Sequence, residues 1–408
     1  MTNAHARLSA SSSSRWMRCP GSLGLIESLP EHLRNKTSSY ATAGTHAHEL
    51  AATSLQSNKT CQEILAVSNN PDWDSDMGEV VQEYVDLVKQ LAAGHTLLVE
   101  QRVDYSQSIG VPDSFGTADA VIVTADGKEL IVVDLKTGAG VEVFAEENEQ
   151  LLLYALGSLE SFDAAIDKSQ LERIRLIISQ PRLGAVSEWV CNTSYLDDFR
   201  QDAKKAAKRA ISQADGLSMT EHNPSEDSCR FCKAASICPA LAKKVEETVE
   251  SDFESLDVPE EDRPLPNPVL LVDNSILAEK MKAVPMIEDW CKAVRSAVEA
   301  ELLQGNAVPG FKIVEGRRGH RKWTDEKYAV NVLTAYGLHE DDIFDKSLCT
   351  PSQIEKILRT DKELWKKLEV ATSRSEGKPH VADESDKRPA LEMTPVSDDF
   401  EALTTKGD

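Results

Sequence analysis

The sequence predicts an α/β fold, a mixed sheet flanked by helices, followed by a mostly helical C-terminal region. Short apolar runs over 96–103, 117–124 and 129–135 read as strands, and 173–180 and 187–191 read as two more. A helix expected over 146–159 separates the third run from the fourth. That order of strands, one crossover helix and a further strand suits a mixed sheet. Asp126-Gly127, between the second and third runs, is a strong hairpin signal.

The elements follow in order. Residues 1–40 read as loop and short helices around Cys19, with Arg15, Trp16 and Arg18 beside it. Those side chains either contact a nucleic-acid backbone and stack on a base, or Trp16 packs over a group held by the cysteine. Residues 43–57 read as a glycine turn that continues into a helix carrying His46, His48 and Glu49. A second helix is expected over 76–91, and the strand 96–103 carries Glu100. A helix over 195–214 leads into a cysteine group.

The expected boundaries are a first domain over 1–257 and a Pro- and acid-rich linker over 258–268. An accessory region over 269–371, binding DNA or a partner, and a polar, disordered tail over 372–408 complete the chain. The accessory region opens with a long helix, 274–304, and a basic hairpin, 311–323. Arg317, Arg318, Arg321, Lys322 and Trp323 in that hairpin read either as a strand-tracking surface or as a solvated turn. No internal repeat is visible.

The 408 residues carry a net charge of −23, which argues against an openly basic nucleic-acid surface. The acidic excess lies partly at Asp197-Asp198, over 246–262 and in the tail. There it favours solubility and leaves room for a narrow basic channel. No run approaches the apolar length of a membrane span. The first residues lack an apolar secretory core, so a cytoplasmic protein is expected.

Four separated segments carry the chemistry. They are Gly44-Thr45-His46-Ala47-His48, Gly116-Thr117-Ala118-Asp119, Asp134-Leu135-Lys136 and Gln150-Leu151-Leu152-Leu153-Tyr154. Residues two apart in a strand share a face, so Asp134 and Lys136 project together. A carboxylate that binds a hard cation, beside a lysine that orients water, is the minimum apparatus for phosphodiester hydrolysis. Asp119 and Asp134 are the first candidates for metal ligands, and Glu100 on the preceding strand offers a further carboxylate. His46 and His48 point in different directions on a helix, so only one should reach the site. Gln150 and Tyr154 fall on one helical face.

Cys229-x2-Cys232-x5-Cys238 and the distant Cys19 suit metal ligation, not disulfides, in a cytosolic protein. Thiolates serve zinc and iron–sulfur clusters alike, and ligand count does not separate them. Cys61, Cys191, Cys291 and Cys349 read as ordinary thiols.

The order and spacing of the four segments resemble the RecB-like branch of the PD-(D/E)XK nucleases. They match that branch's G-T-x-x-H, G-x-x-D, D-x-K and Q-x-x-x-Y motifs in turn. The resemblance implies a restriction-endonuclease-like sheet and a DNA exonuclease that uses Mg2+ or Mn2+. It implies His48, Asp119 and Asp134 as metal ligands. Lys136 would orient water or offset charge on the phosphate, Glu100 would add a carboxylate, and Gln150 and Tyr154 would line the site. It also implies that Cys19, Cys229, Cys232 and Cys238 hold a 4Fe-4S cluster. Such a staple closes a loop of about two hundred residues. The implied partners are single-stranded DNA or duplex ends, with a single-strand-binding or annealing protein. The implied setting is recombination or DNA-end processing in a phage or prophage. Two alternatives stay open: a recombination subunit that binds DNA without cutting, and a CRISPR-associated nuclease that trims DNA before integration. Residue by residue, the resemblance covers only about 19–239. Polarity, strand preference and oligomeric state are left open.

Overall fold

A computed structural model describes residues 6–36, 39–138, 140–162, 166–250, 274–314, 326–335 and positions 339, 363, 364 and 366. The chain divides into two compact units, Met1–Glu315 and Gly316–Asp408. The expected linker, the tail and the hairpin residues Arg317, Arg318, Arg321, Lys322 and Trp323 lie outside the described residues.

The first unit opens with three short helices, α1 (Ser13–Arg18), α2 (Ser22–Glu27) and α3 (Glu31–Arg34). Next come α4 (Ser39–Ser57), α5 (Cys61–Leu65) and α6 (Ser75–Leu91). Their starts are chemically marked. Thr60 and Glu63 close a capping box on α5, and the Asp74 carboxylate accepts the Met77 N–H at 2.7 Å on α6. Helix α4 begins before Gly44, so the expected glycine turn is a helix interior. Ala41, Ala43 and Ala47 are strong helix formers, and one interior glycine costs only about 1 kcal/mol.

The sheet is the expected mixed one. Its strands are β1 (Thr96–Asp104), β2 (Phe115–Val123), β3 (Glu129–Leu135), β4 (Arg173–Gln180) and β5 (Ala185–Asn192), in spatial order 1-2-3-4-5. Helix α7 (Ser106–Ile109) joins the first two strands. Pairing is antiparallel except between β3 and β4. A parallel pair needs a crossover, and α8 (Glu149–Ser161) provides it. The hairpin between β2 and β3 turns at Gly127, whose φ of 71° suits glycine.

Both faces of the sheet are covered. Leu130 and Val132 of β3 pack toward α8 and α9 (Thr193–Ala214), in a core with Leu151, Leu152 and Ala207. Ile131 and Val133 pack toward α4, α5 and α6, with Leu50, Cys61, Tyr84 and Val85. Central strands buried on two sides account for the continuous apolar runs of the sequence.

After α9 the chain forms α10 (Glu226–Cys229) and α11 (Pro239–Glu250). Helix α12 (Asn274–Leu303) runs through Pro285 and packs its Met286, Ile287 and Trp290 against the segment containing Cys229, Cys232 and Cys238. Helix α13 (Glu326–Ala335) belongs to the second unit. Among the described residues, no helix is long and apolar enough to cross a membrane.

Candidate metal centre

The four motif segments come from α4, β2, β3 and α8, and they converge. Asp119 of β2 is the link between them. Its Oδ2 accepts the backbone N–H of Leu135 at 2.7 Å, and its Oδ1 lies 2.9 Å from Nδ1 of His48. The first bond ties it to β3 and the second to α4. Glu100 of β1 reaches within 4.0 Å of the same His48 nitrogen. His48, Glu100 and Asp119 each offer a ligand atom within 4.8 Å of the others. An imidazole with two carboxylates is a donor set that fits a divalent cation.

Asp134 and Lys136 form the adjoining pair. Lys136 Nζ stands 2.7 Å from Asp134 Oδ2. Gln150 connects them: its amide nitrogen donates to Asp134 Oδ1 at 2.9 Å and to the Tyr154 hydroxyl at 3.0 Å. Its carbonyl accepts from Lys136 at 3.1 Å. The Q-x-x-x-Y spacing thus places both side chains on the face of α8 that meets the end of β3. Asp134 stands with Lys136 and Gln150, while Glu100 stands with Asp119 and His48.

The electrostatics follow from burial and crowding. Burial opposes a charge on His48, but Asp119, Asp134 and Glu100 together outweigh it and push the imidazole up to about 9. Burial, then Asp119, pushes Glu100 up to about 7 against the pull of His48. Burial opposes the Lys136 charge too, yet Asp134 prevails and holds the amine above its usual range. Asp134 is only 2% exposed, and burial raises its carboxyl although Lys136 pulls the other way.

The glycine of G-x-x-D has a packing reason. A side chain at Gly116 would stand 2.6 Å from the Tyr154 ring, so only glycine lets that ring reach Gln150. His46 turns away from the site: its nitrogens lie 3.6 Å from Glu49 and 3.8 Å from Asp72. Trp16 is not available to stack on a base. It lies 1% exposed in the main core beneath the sheet, and its ring N–H donates to the Ser9 carbonyl.

One residue of the site had no motif to announce it. Tyr84 of α6 is 1% exposed and packs with Val99, Ala120 and Val133, the chain neighbours of Glu100, Asp119 and Asp134. Burial, and then those three carboxylates, hold its phenol well above its ordinary range. The sequence signal was limited to the apolar face of α6, where a tyrosine reads as core.

Cys229, Cys232 and Cys238 pack in one cluster beside α12, and Cys19, from the other end of the unit, lies near enough to Cys229 and Cys238 for their charges to interact. Burial pushes Cys229 up to about 11, and Cys232, Cys19 and Cys238 add to the shift. Burial likewise raises Cys19 and Cys232. Beside Cys19 and Cys232 lies Arg15, whose Nε is buried with no hydrogen-bond partner among the described residues. A buried cation facing sulfur atoms fits a thiolate-ligated, negatively charged group. Cys61 and Cys191 are buried in the two cores of the sheet.

A family model described as "Protein of unknown function (DUF2800)" matches residues 5–389. Two solved structures are similar in part. "Crystal structure of SSO0001" is 14% identical, covers 48% of this chain and 85% of that one, and has a TM-score of 0.23. "Crystal Structure of LHK-Exo in complex with dAMP" is 10% identical, covers 50% and 94%, and has the same TM-score of 0.23. Likenesses at that score carry no weight for function.

Proposed function

The chain belongs to the DUF2800 family, and we propose that it is a divalent-metal-dependent nuclease that hydrolyses phosphodiester bonds in DNA. One observation carries the reading: His48, Glu100 and Asp119, from three different elements, bring ligand atoms within 4.8 Å beside a buried Asp134–Lys136 pair. Buried carboxylates crowded this closely are costly unless something positive joins them.

His48, Glu100 and Asp119 would hold Mg2+ or Mn2+, with Asp134 next to them. A divalent ion there supplies positive charge that offsets the charge developing on the phosphate. Asp134 holds the Lys136 amine above its usual range, which favours a cation over a base. Its role is that of a fixed cation aimed at phosphate or the attacking water. Gln150 holds that cation in place by bonding both members of the pair. Tyr154 in turn holds Gln150.

The cysteine group extends the reading. Cys19, Cys229, Cys232 and Cys238 would hold an iron–sulfur cluster, with Arg15 as its buried counter-charge. The cluster would tie α1 and its neighbours to the segment after α9, a structural task remote from hydrolysis. Exonuclease action on single strands or duplex ends, in phage recombination or DNA-end processing, is the setting that we favour from the motif resemblance.

The test is cleavage of end-labelled single- and double-stranded DNA by anaerobically purified protein with Mg2+ or Mn2+. Wild type should release short products from an end, and a folded Asp119→Ala variant should not. Equal cutting by that variant would place any nuclease activity elsewhere, and no cutting by wild type would leave a DNA-binding role.

A further inference from the structure

The Tyr84 hydroxyl has an unusual position. The residue sits on α6, behind β1 and β2, and is 1% exposed. Its oxygen is buried and has no hydrogen-bond partner among the described residues. A buried, unsatisfied hydroxyl costs free energy, which a phenylalanine of almost the same shape would avoid. Its surroundings explain why it is tolerated, since Tyr84 packs in one cluster with Val99, Ala120 and Val133, the chain neighbours of Glu100, Asp119 and Asp134.

The acceptors differ in how fully they are used. Both oxygens of Asp119 are engaged, by His48 and by the Leu135 N–H. Both oxygens of Asp134 are engaged, by Gln150 and by Lys136. Glu100 has the looser approach of His48 at 4.0 Å. Its backbone φ of 51° sets its side chain apart from the regular alternation of β1. Glu100 is therefore the carboxylate with the most spare accepting capacity.

We propose that Tyr84 is a positioning residue of the metal centre, donating its hydroxyl hydrogen to the Glu100 carboxylate when a divalent ion is held by His48, Glu100 and Asp119. The inference rests on the metal-site reading given above. It assigns a residue outside the four motifs to that site. The bond would orient one Glu100 oxygen and free the other for the ion, as partners behind a ligand commonly do.

The experiment is a calorimetric titration of Mn2+ into wild type and Tyr84→Phe, with thermal melts of both proteins metal-free. The expected result is a Mn2+ affinity about ten- to hundredfold lower in Tyr84→Phe, the usual cost of losing a partner behind a metal ligand. Its metal-free melting temperature should equal or exceed that of wild type. Equal Mn2+ affinity in the two proteins overturns the inference and leaves the metal site standing. A metal-free Tyr84→Phe that melts well below wild type also overturns it, because the hydroxyl would then be a structural bond. If wild type binds no Mn2+, the metal-site reading falls and takes the inference with it.

Discussion

Glu100 stands across the β1–β2 ladder from Asp119, and the ladder breaks at that pair. Val99 pairs with Ala120 and Gln101 with Ala118, with the same register on both sides of the gap. At the gap Glu100 takes a φ of 51°, a left-handed conformation that a non-glycine residue seldom adopts inside a strand. The distortion brings its carboxylate toward Asp119 and His48, so two acids share one small space. Backbone strain and like charge therefore fall on the same residue, a combination typical of functional sites.

Replacement of Glu100 by glycine separates strain from function. Glycine adopts a positive φ freely, and the change removes one of the crowded carboxylates. Metal-free Glu100→Gly should be no less stable than wild type, and up to about 1 kcal/mol more stable. Its Mn2+ affinity should fall by at least tenfold. Thermal melts and a Mn2+ titration on the same preparation check both halves. A destabilised variant with normal Mn2+ affinity would mean that Glu100 is structural.

Gly116→Ala probes the opposite face of the site. The added methyl would meet the Tyr154 ring, which is itself buried in the core and cannot swing clear. Overpacking of this kind costs about 1–3 kcal/mol. It should also disturb the Gln150 bond network, and so reduce cleavage more than a stability loss of that size would. Circular dichroism melts with cleavage assays well below the melting temperature would separate the two effects.

Much of this arrangement was legible in the sequence because it depends on local periodicity. The apolar runs, Asp126-Gly127 and the helix of Gln150 and Tyr154 each have a short-range signature, and together they imply a mixed sheet with one crossover helix. The four motif segments meet as their order suggested. What was not legible depends on contacts between distant elements. Nothing near Tyr84 distinguishes it from the core residues Val81, Val85 and Val88 on the same helix. The broken pairing at Glu100 arises from its opposition to Asp119, nineteen positions away. Trp16 reads as a candidate nucleic-acid contact from its basic neighbours, whereas the packing of α1 under α8 and α9 sends it into the core.

The site also sets a pH dependence for the metal-free protein. Glu100 is held at about 7 against an ordinary 4.5, and His48 at about 9 against 6.5. Both groups bind a proton more tightly folded than unfolded. The stability that each contributes is complete below its ordinary value and is lost as pH rises through its raised value. Metal-free wild type should therefore lose stability between about pH 4.5 and 9, with the part above about 7 due to His48. A His48→Gln variant should show a flatter profile over that upper range. Added Mg2+ or Mn2+ should stabilise wild type more as pH rises, because the ion displaces those protons. Melting curves across this range, with and without the ion, check the sign. A wild-type stability that climbs steadily to pH 9 would contradict it.

The cysteine group yields the last prediction. Cys19, Cys229 and Cys232 have raised thiol pKa values in the metal-free protein, chiefly from burial, so ligation must release protons and supply the compensating positive charge. Arg15 already lies beside two of the sulfurs with an unpartnered Nε. A fixed positive charge there favours the more negative, reduced state of an iron–sulfur cluster. Anaerobically purified wild type should be brown and contain iron and sulfide, and Cys232→Ser should bleach it. Arg15→Met keeps most of the side-chain volume and removes the charge. It should still bind the cluster, but with a lower reduction potential in anaerobic voltammetry. Stoichiometric zinc without iron in anaerobic wild type would show that the thiols serve the other metal. An unchanged potential in Arg15→Met would show that its guanidinium does not act on the cluster.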